Sequence, residues 1–232
     1  MNSKLIIINT SRGGRNMKRK LSILIAVPKS FLISWKLFGM KKAMYLPLIV
    51  AIGFSIKARK GQVIISPNSR ILLGFETWKA PSKNCESSVQ IDDGLIIFKG
   101  GAKFSSGSCI KVDCGGELVI GDNFESSRNV FIYVSKSIVF GDNVLVGYNT
   151  SIRDDDGHGI MTDWINRKRI PVIIGNNCWI GSQCHLLKGV VLTEGNVVAT
   201  GSIVTSSINS QINSIIGGVP ARIIKNNVRW SK

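Results

Sequence analysis

The sequence predicts an all-β solenoid, a left-handed parallel β-helix with an N-terminal helical segment and a short C-terminal extension. Three observations predict it: a six-residue recurrence of aliphatic side chains, near-copies of one short motif upstream, and a composition rich in glycine and aliphatic residues. Of the 232 residues, 44% are hydrophobic but only 7% aromatic, and 24 are glycine. This composition suits a core built from many short strands that are separated by tight turns.

The six-residue recurrence carries the fold prediction. Aliphatic residues stand at Ile174, Ile180, Leu186, Leu192, Val198 and Val204. Small or medium residues follow the first five of these by four positions, at Cys178, Cys184, Val190, Asn196 and Ser202. A helix would show a period of about 3.6 and an ordinary strand a period of about 2. A period of six instead indicates one strand plus one corner, so that three units make a triangular coil and the coils stack. A generic β-sandwich is the alternative.

The upstream half repeats the pattern less regularly. The sequence IGDN at 120–123 returns as FGDN at 140–143, an offset equal to one 18-residue coil plus two residues. We therefore divide the chain into a basic, partly helical N-terminal segment (1–60), a β-helix domain (61–205) with an ejected loop at 153–170, and a C-terminal extension (206–232).

Positive charge is concentrated at the N-terminus. The net charge is +16, and residues 1–75 hold 14 Lys and Arg with no acidic residue, whereas the rest is nearly neutral. Such a segment suggests an anionic partner, for which membrane lipid, nucleic acid and an acidic polymer are the candidates. The aromatic residues of this segment recur at helical spacing, unlike a base-stacking platform, so we expect no nucleic acid partner.

Residues 28–55 are predicted to be helical, with Pro28 in the first turn and Phe31, Leu32, Trp35 and Phe38 on one stripe. Two compatible interpretations remain open. The helix covers the end of the main domain, or residues 17–60 lie on an anionic membrane surface as a basic amphipathic segment. The longest apolar run, residues 43–54, is shorter than the roughly 20 residues of a membrane span. We expect a cytoplasmic protein, with peripheral contact at the inner membrane face as the open alternative.

The cysteines indicate neither disulfides nor a metal centre. They are odd in number, contain no CxxC pair and are interpreted as small buried hydrophobes in a reducing compartment: Cys85, Cys109, Cys114, Cys178 and Cys184. The chain has only two histidines, and no metal site is expected.

The repeat stops between Ile152 and Pro171, where a polar loop interrupts the solenoid. This loop holds His158, and functional residues favour such loops. Asp156 is predicted either to orient His158 or bind an acceptor, or to belong to a solvated turn. Asn149 and Arg153 are candidate substrate-binding residues nearby. His185 precedes an inward-facing leucine and is expected to face outward.

Several motifs resemble the hexapeptide-repeat acyltransferase family, in its branch of maltose- and galactoside-type and of capsule or lipopolysaccharide O-acetyltransferases. They are PVIIGNNCWIGSQC (171–184), LKGV (187–190), GSIVT (201–205), IGGVPARIIK (216–225) and, for earlier coils, GLIIFKG (94–100) and CGGELVIGDN (114–123). The resemblance covers roughly residues 28–230. The chain departs from it at Ala199-Thr200, where relatives often have Gly-Ala, and at Gly218-Val219.

The resemblance implies a homotrimer with active sites in the grooves between subunits and acetyl-CoA as the co-substrate. It makes His158 the catalytic base and places Trp179 beside the groove, where its indole N–H or backbone N–H groups could bind an oxyanion. It assigns the coenzyme to Gly181, Ser182, Ala199, Thr200, Arg222 and Lys225.

Three functions follow as hypotheses. The first is an O-acetyltransferase acting on a cell-surface polysaccharide, such as capsule or O-antigen, or on its precursor. The second is an N- or O-acyltransferase acting on a small sugar or amino sugar. The third is a non-catalytic β-helix whose basic arm binds membrane or nucleic acid.

Overall fold

The computed structural model describes residues 11–75, 86–158, 169–206 and 208–232, with side chains from residue 21 onward. Two helices, α1 (Ser11–Phe38) and α2 (Met40–Ala43), precede 22 short strands in these residues. The strands form three sheets, which we call faces A, B and C, and their pairing is parallel except between the last two strands. Before those two, every third strand returns to the same face. This is the predicted left-handed parallel β-helix.

Each face takes one strand from each coil. Face A consists of β1 (Leu48–Val50), β4 (Ile71–Leu73), β7 (Ala102–Phe104), β10 (Phe124–Ser126), β13 (Leu145–Val146), β16 (Trp179–Ile180), β19 (Val197–Val198), β21 (Ile215–Gly218) and β22 (Ala221–Lys225). Face B consists of β2 (Phe54–Lys57), β5 (Ser87–Ile91), β8 (Cys109–Val112), β11 (Phe131–Val134), β14 (Ser151–Arg153), β17 (His185–Leu186) and β20 (Ile203–Val204). Face C consists of β3 (Val63–Ile65), β6 (Gly94–Phe98), β9 (Gly116–Ile120), β12 (Ser137–Phe140), β15 (Val172–Ile174) and β18 (Val191–Leu192).

Strand pairing confirms the coil length that the sequence predicts. Ile174 pairs with Leu192 and Trp179 with Val197, each 18 positions along the chain. Ile120 pairs with Phe140, which is the predicted offset of 20. The six aliphatic residues of the recurrence are each at most 1% exposed, and the small residues between them are buried as well. Aliphatic residues thus fill the interior, and stacked coils satisfy one another's backbone hydrogen bonds.

The corners need backbone conformations that few residues adopt. Asparagines with φ between 54° and 58° occupy them at Asn123, Asn129, Asn143, Asn149, Asn177 and Asn213. Asparagine tolerates this left-handed region better than other side-chain-bearing residues, because its short amide can hydrogen-bond locally. The asparagines of successive coils also bond to each other, as when Asn143 Nδ2 donates to Asn177 Oδ1 at 3.1 Å. The corners are therefore aligned columns along the solenoid.

The N-terminal helix differs from its sequence prediction. Residues 28–55 were expected to be helical, but α1 begins at Ser11 and ends at Phe38, and β1 starts at Leu48. Pro28 lies inside the helix instead of in its first turn. Pro47 cannot continue a helix, and Leu48–Val50 gains a strand partner in Ile71–Leu73, so tertiary pairing decides this segment. The solenoid accordingly begins before residue 61, the predicted boundary.

Helix α1 caps the open end of the first coil. Val50 N–H on the unpaired edge of face A donates to Ser30 Oγ at 2.9 Å. Lys29 Nζ donates to the carbonyls of Ala51, Ile52 and Phe54 at 2.9, 2.6 and 2.7 Å. Burial lowers the pKa of Lys29. The N–H and C=O groups at the exposed end of a solenoid need hydrogen-bond partners. The contacts of α1 supply them, which supports the interpretation of the helix as a cap.

We expect Lys29→Met to destabilise the protein by about 1–3 kcal/mol, because it keeps the apolar stem but leaves three carbonyls without their charged donor. Thermal melting at fixed protein concentration measures the effect. Lys36→Met on the exposed side of the same helix is the matched control and is expected to melt within a degree or two of the unmodified protein. Equal melting temperatures for the two variants would contradict the capping role.

Candidate active site

Four of the predicted coenzyme residues lie in one column at the corner between faces A and B. Gly181 and Ser182 follow β16, and Ala199 and Thr200 follow β19 in the next coil. The coils approach closely here: a Cβ on Gly181 would come within 2.7 Å of the Thr200 backbone nitrogen. Glycine is therefore required at this position, and Thr200 is left exposed on the surface of the column.

One of the two predicted cations extends the same column. Strand β22 folds back antiparallel on β21, which opposes Arg222 to Gly217 and Lys225 to Ile215. Gly217 sits directly over Ala199, since its Cβ would lie 3.0 Å from the Cβ of Ala199, so Arg222 ends the column. Lys225 instead lies on face A, in the register of Trp179, and both cations are exposed. A row of small residues with one cation at its end and a second on the adjoining face is suited to an extended ligand that carries phosphates.

Trp179 lies on face A of the same coils. Its strand β16 pairs with β13 and β19, and the outward indole ring is 40% exposed. The ring contacts Trp230 of the C-terminal tail, with ring centroids 5.9 Å apart. Trp179 thus belongs to the group that the structure brings together with the column of Gly181 and Ala199.

Trp230 is a candidate that the sequence reasoning missed. The tail runs back along the asparagine corners: Val228 N–H donates to Asn213 O, Trp230 Nε1 to Asn177 O at 2.6 Å, and Lys232 Nζ to Asn123 O. These bonds hold the Trp230 ring against Trp179. Trp230 lies outside the six-residue recurrence, so nothing in the repeat pattern indicates this contact.

His158 lies elsewhere, at the corner between faces B and C. It is exposed, and it follows β14 at the start of the ejected loop. Residues 159–168 of that loop lie outside the described residues. Asp156 forms an ion pair with Lys188, with 2.5 Å between Asp156 Oδ2 and Lys188 Nζ. The hypothesis that Asp156 orients His158 stays a prediction.

Two buried carboxylates anchor the base of the loop. Asp154 accepts hydrogen bonds from the backbone N–H groups of Ser135, Lys136 and Ser137 at 2.7–2.8 Å. Asp155 pairs with Arg169 at 3.5 Å, on the other side of the loop. Both carboxylates are at most 1% exposed. These two residues tie the loop to the solenoid, a role that the sequence pattern does not indicate.

The two candidate substrate residues are also placed. Asn149 occupies a left-handed corner between faces A and B, where its Oδ1 accepts from Asn129 Nδ2 at 3.0 Å. Arg153 ends β14 and donates to Ser151 Oγ at 3.3 Å. His185 faces outward on face B, as expected, beside Ser151 and Ile203. Arg153 therefore lies on the side of His158, and Asn149 on the column side of face B.

A cavity of about 480 Å³ opens near the loop base and is lined by Cys114, Gly115, Ser135, Lys136 and Arg169. Ser135 and Lys136 are the residues whose N–H groups bind Asp154, and Arg169 is the partner of Asp155. The cavity therefore lies at the same corner as His158 and offers hydroxyl and cationic groups to a polar ligand.

Topology separates the predicted catalytic residues within one chain. Trp179 and the coenzyme candidates lie on face A and its corner with face B, whereas His158 lies at the corner between faces B and C. In a three-sided coil, the corner between B and C is opposite face A. One chain thus presents two half-sites on different sides of the prism.

Cysteine chemistry and metal binding find no support in the part of the chain that the structure describes. Burial raises the pKa of Cys178 to about 11 and also raises the pKa of Cys184, so both thiols are protonated at neutral pH. Cys178 and Cys184 are buried, as predicted, but the same prediction was wrong for Cys114, which is exposed, and Cys109 is only half-buried. No group of three or more His, Cys, Asp or Glu side chains that could hold a metal occurs among the described residues.

Comparison with known proteins identifies the family. The family model described as "Bacterial transferase hexapeptide (six repeats)" matches residues 171–206. The "Putative lipopolysaccharide biosynthesis O-acetyl transferase WbbJ" of Escherichia coli K12 is 33% identical over 148 residues, which are 58% of this chain and 73% of the relative. Galactoside O-acetyltransferase of the same strain is 34% identical over 114 residues, 48% of this chain and 55% of the relative. The alignment thus spans only about half of the galactoside enzyme.

Solved structures of similar proteins include the polysialic acid O-acetyltransferase OatWY, at 20% identity with a TM-score of 0.45, covering 78% of this chain and 89% of that chain. A hexapeptide transferase family protein from Anaplasma phagocytophilum has a TM-score of 0.46 at 16% identity and covers 75% of this chain and 80% of that chain. With its 18-residue coils and its match to most of the WbbJ sequence, the chain belongs to the bacterial hexapeptide-repeat transferase family.

Proposed function

We propose that this protein transfers an acetyl group from acetyl-CoA to a hydroxyl group of a cell-surface polysaccharide or its precursor. The observation that carries the proposal is the column formed by Gly181-Ser182 and Ala199-Thr200, which ends at the exposed Arg222, with Lys225 exposed on the adjoining face A. The pantetheine arm would lie along the column, and the phosphates would meet the cations. Relatives named as lipopolysaccharide and polysialic acid O-acetyltransferases favour a polysaccharide acceptor.

His158 acts as the general base in this proposal. Its imidazole takes the proton of the acceptor hydroxyl as the oxygen attacks the thioester carbonyl, which gives a tetrahedral oxyanion. An indole N–H from Trp179 or a backbone N–H stabilises that charge. Collapse breaks the carbon–sulfur bond, and the imidazolium returns its proton to the leaving thiolate. The products are an O-acetyl ester and free coenzyme A.

The active unit is proposed to be a homotrimer in which His158 of one copy meets Trp179 of the next. The support is the separation of the two half-sites on opposite sides of one prism, which a neighbouring copy would bridge. A cytoplasmic location is proposed with it. The buried, protonated thiols of Cys178 and Cys184 fit a reducing compartment.

Mixed oligomers test the shared site. His158→Ala and Trp179→Ala are each expected to be inactive alone, but co-expressed and differently tagged copies should form mixed trimers. If each site takes its histidine and its tryptophan from different copies, every mixed trimer holds one complete site in three, so purified mixed trimers should regain roughly a third of the unmodified activity. Activity at that level in purified mixed trimers supports the proposal, and complete inactivity contradicts it.

The reaction itself is tested by release of coenzyme A. Purified full-length protein is incubated with acetyl-CoA and either capsular or O-antigen oligosaccharides, with His158→Ala as the matched control. We expect release that depends on the polysaccharide and an alkali-labile acetyl group on the product. The absence of release with every acceptor would overturn the proposal.

A small acceptor is the second candidate, favoured by the relative that acts as a galactoside O-acetyltransferase. The same histidine would serve an N- or O-acyl transfer to a simple sugar or amino sugar. Turnover of galactosides or amino sugars in preference to oligosaccharides would select this function, and mass spectrometry with alkali treatment separates an ester from an amide.

Trp230 is expected to position Trp179 for this reaction. Because an aromatic pair is worth about 0.5–1.5 kcal/mol, Trp230→Ala should lower kcat roughly two- to tenfold. Trp230→Phe keeps a ring against Trp179 and should recover most of the activity, and Arg229→Ala on the exposed tail is the matched control. A change in KM for acetyl-CoA with kcat unchanged would instead show that Trp230 contributes only to binding.

A further inference from the structure

Among the residues that the structure describes, none covers an apolar face of helix α1 on the side opposite its contacts with the solenoid. Its packing face consists of small or aliphatic residues, including Ala26, Ser30, Ser34 and Leu37, which are at most 4% exposed. The other side is apolar without interruption and comprises Leu21, Leu24, Ile25, Pro28, Phe31, Leu32 and Trp35. Five of these are between 48% and 66% exposed: Leu21, Leu24, Ile25, Leu32 and Trp35. We call these seven residues the outer stripe.

The outer stripe differs from the stripe that the sequence predicted. Phe38, which was assigned to it, packs against the core, and Lys29 binds backbone carbonyls of the first coil. The helix therefore packs Leu37, Phe38 and its small residues against the solenoid and leaves the large apolar residues of the outer stripe outside. Soluble surfaces rarely expose such a contiguous apolar patch, which marks a site of interaction.

Cationic residues precede and follow the outer stripe along the chain. The preceding turns of α1 hold five Lys and Arg within residues 11–20, and α2 adds Lys41 and Lys42, both exposed beside Met40 and Met44. Residues 1–75 contain no acidic residue. A partner that covers the stripe must therefore tolerate dense positive charge, which excludes a second copy of this same segment at close range because the two would repel each other.

We propose that the outer stripe docks on the surface of a bilayer that contains anionic phospholipid. The apolar side chains enter the boundary between headgroups and acyl chains, and the cations contact the headgroup phosphates. This surface is separate from the candidate active site and does not depend on the proposed reaction.

The helix is expected to lie in the plane of the bilayer and not to cross it. By length and composition the segment Leu21–Phe38 could span a membrane, with a mean hydropathy of 1.5, although 22% of it is buried. Spanning would require the helix to leave the first coil, which would strip Val50 N–H of its acceptor Ser30 and three carbonyls of Lys29. In-plane docking keeps all these bonds and buries only the exposed side.

Vesicle flotation with the full chain tests the proposal. One set of vesicles is made of phosphatidylcholine alone, and in the other set about 30% of the lipid is phosphatidylserine. We expect binding to the anionic vesicles, a marked loss at high salt, and roughly a fivefold gain in affinity for each cation that reaches the surface. Equal binding to both vesicle types would contradict the role of the cations.

Two single-charge variants separate the stripe from the charge. Leu24→Glu places a carboxylate on the outer stripe and is expected to weaken vesicle binding by about tenfold or more. Ser22→Glu adds the same charge to the same turn, outside the stripe, and should bind within about threefold of the unmodified protein. Thermal melting of both variants, followed by circular dichroism, serves as the control that each still folds.

Three kinds of result would overturn the proposal. The first concerns vesicle binding: either the unmodified protein does not bind, or Leu24→Glu binds as well as the unmodified protein. The second is a smaller oligomer for Leu24→Glu in light scattering, which would make the stripe an interface between copies. The third is resistance of bound protein to alkaline carbonate extraction, which would indicate a spanning helix.

Discussion

His158→Ala is expected to lower kcat for acetyl transfer by about 10²–10⁴-fold, the usual contribution of a positioned general base. A sugar hydroxyl is a weak nucleophile, and removal of the imidazole takes away the group proposed to accept its proton as the bond forms. The residue is exposed at the start of its loop, so its loss should change neither the fold nor coenzyme binding. Steady-state kinetics and equilibrium binding of acetyl-CoA measure the two effects separately.

His185→Ala is the matched control for this prediction. His185 is the only other histidine of the chain and is also exposed, but it lies on face B within the repeat. We expect it to retain activity within a few-fold of the unmodified protein. If His158→Ala retained activity and His185→Ala abolished it, the base would be His185 and the role of the ejected loop would need to be reassigned.

Asp154→Ala is expected to destabilise the protein by about 3–5 kcal/mol and to reduce activity as well. Its fully buried carboxylate accepts three backbone hydrogen bonds, from Ser135, Lys136 and Ser137. Each buried donor left without a partner costs about 1–3 kcal/mol, and water cannot easily replace the acceptor. Asp154 also joins the two ends of the loop that carries His158, because its backbone carbonyl accepts from Ile170 N–H. Loss of the carboxylate anchor should therefore loosen the loop.

Chemical denaturation at fixed protein concentration measures this effect, since oligomerisation makes apparent stability concentration-dependent. Asp156→Ala is the control two residues along. Its ion pair with Lys188 is partly exposed, so its removal should cost no more than about 1 kcal/mol. Asp154→Asn keeps one acceptor oxygen and should fall between the two. Similar free energies of unfolding for all three variants would show that the hydrogen bonds to Asp154 make no net contribution to stability.

Much of the fold could be predicted because the solenoid repeats a local rule. Six-residue spacing alone places Ile180 inside and Trp179 outside, since neighbouring residues of a strand point to opposite sides. The same regularity made the interruption after Ile152 visible and singled out His158. The N-terminal segment has no such repeat, and there the helix boundaries were wrong, because pairing of Leu48–Val50 with a distant strand outweighed local helical periodicity.

The residues that were missed share one property, since their partners lie far away along the chain. Nothing near Asp154 in the sequence indicates that the backbone of Ser135–Ser137 binds its carboxylate. Trp230 lies 51 positions from Trp179 and meets it because the tail returns along the asparagine corners between faces C and A. Lys29 binds carbonyls of the first coil that lie 22 to 25 positions further along the chain.

The sequence by itself determined the coil length, the inward side of each strand and the loop that holds the candidate base, because all three follow from spacing between near neighbours. Only the tertiary structure decided that face A carries Trp179 and the coenzyme column while His158 lies at the opposite corner. It alone showed which side of α1 is left bare. These properties arise when the chain closes into a three-sided coil and distant segments come into contact. The spacing of residues along the sequence does not indicate which distant segments meet.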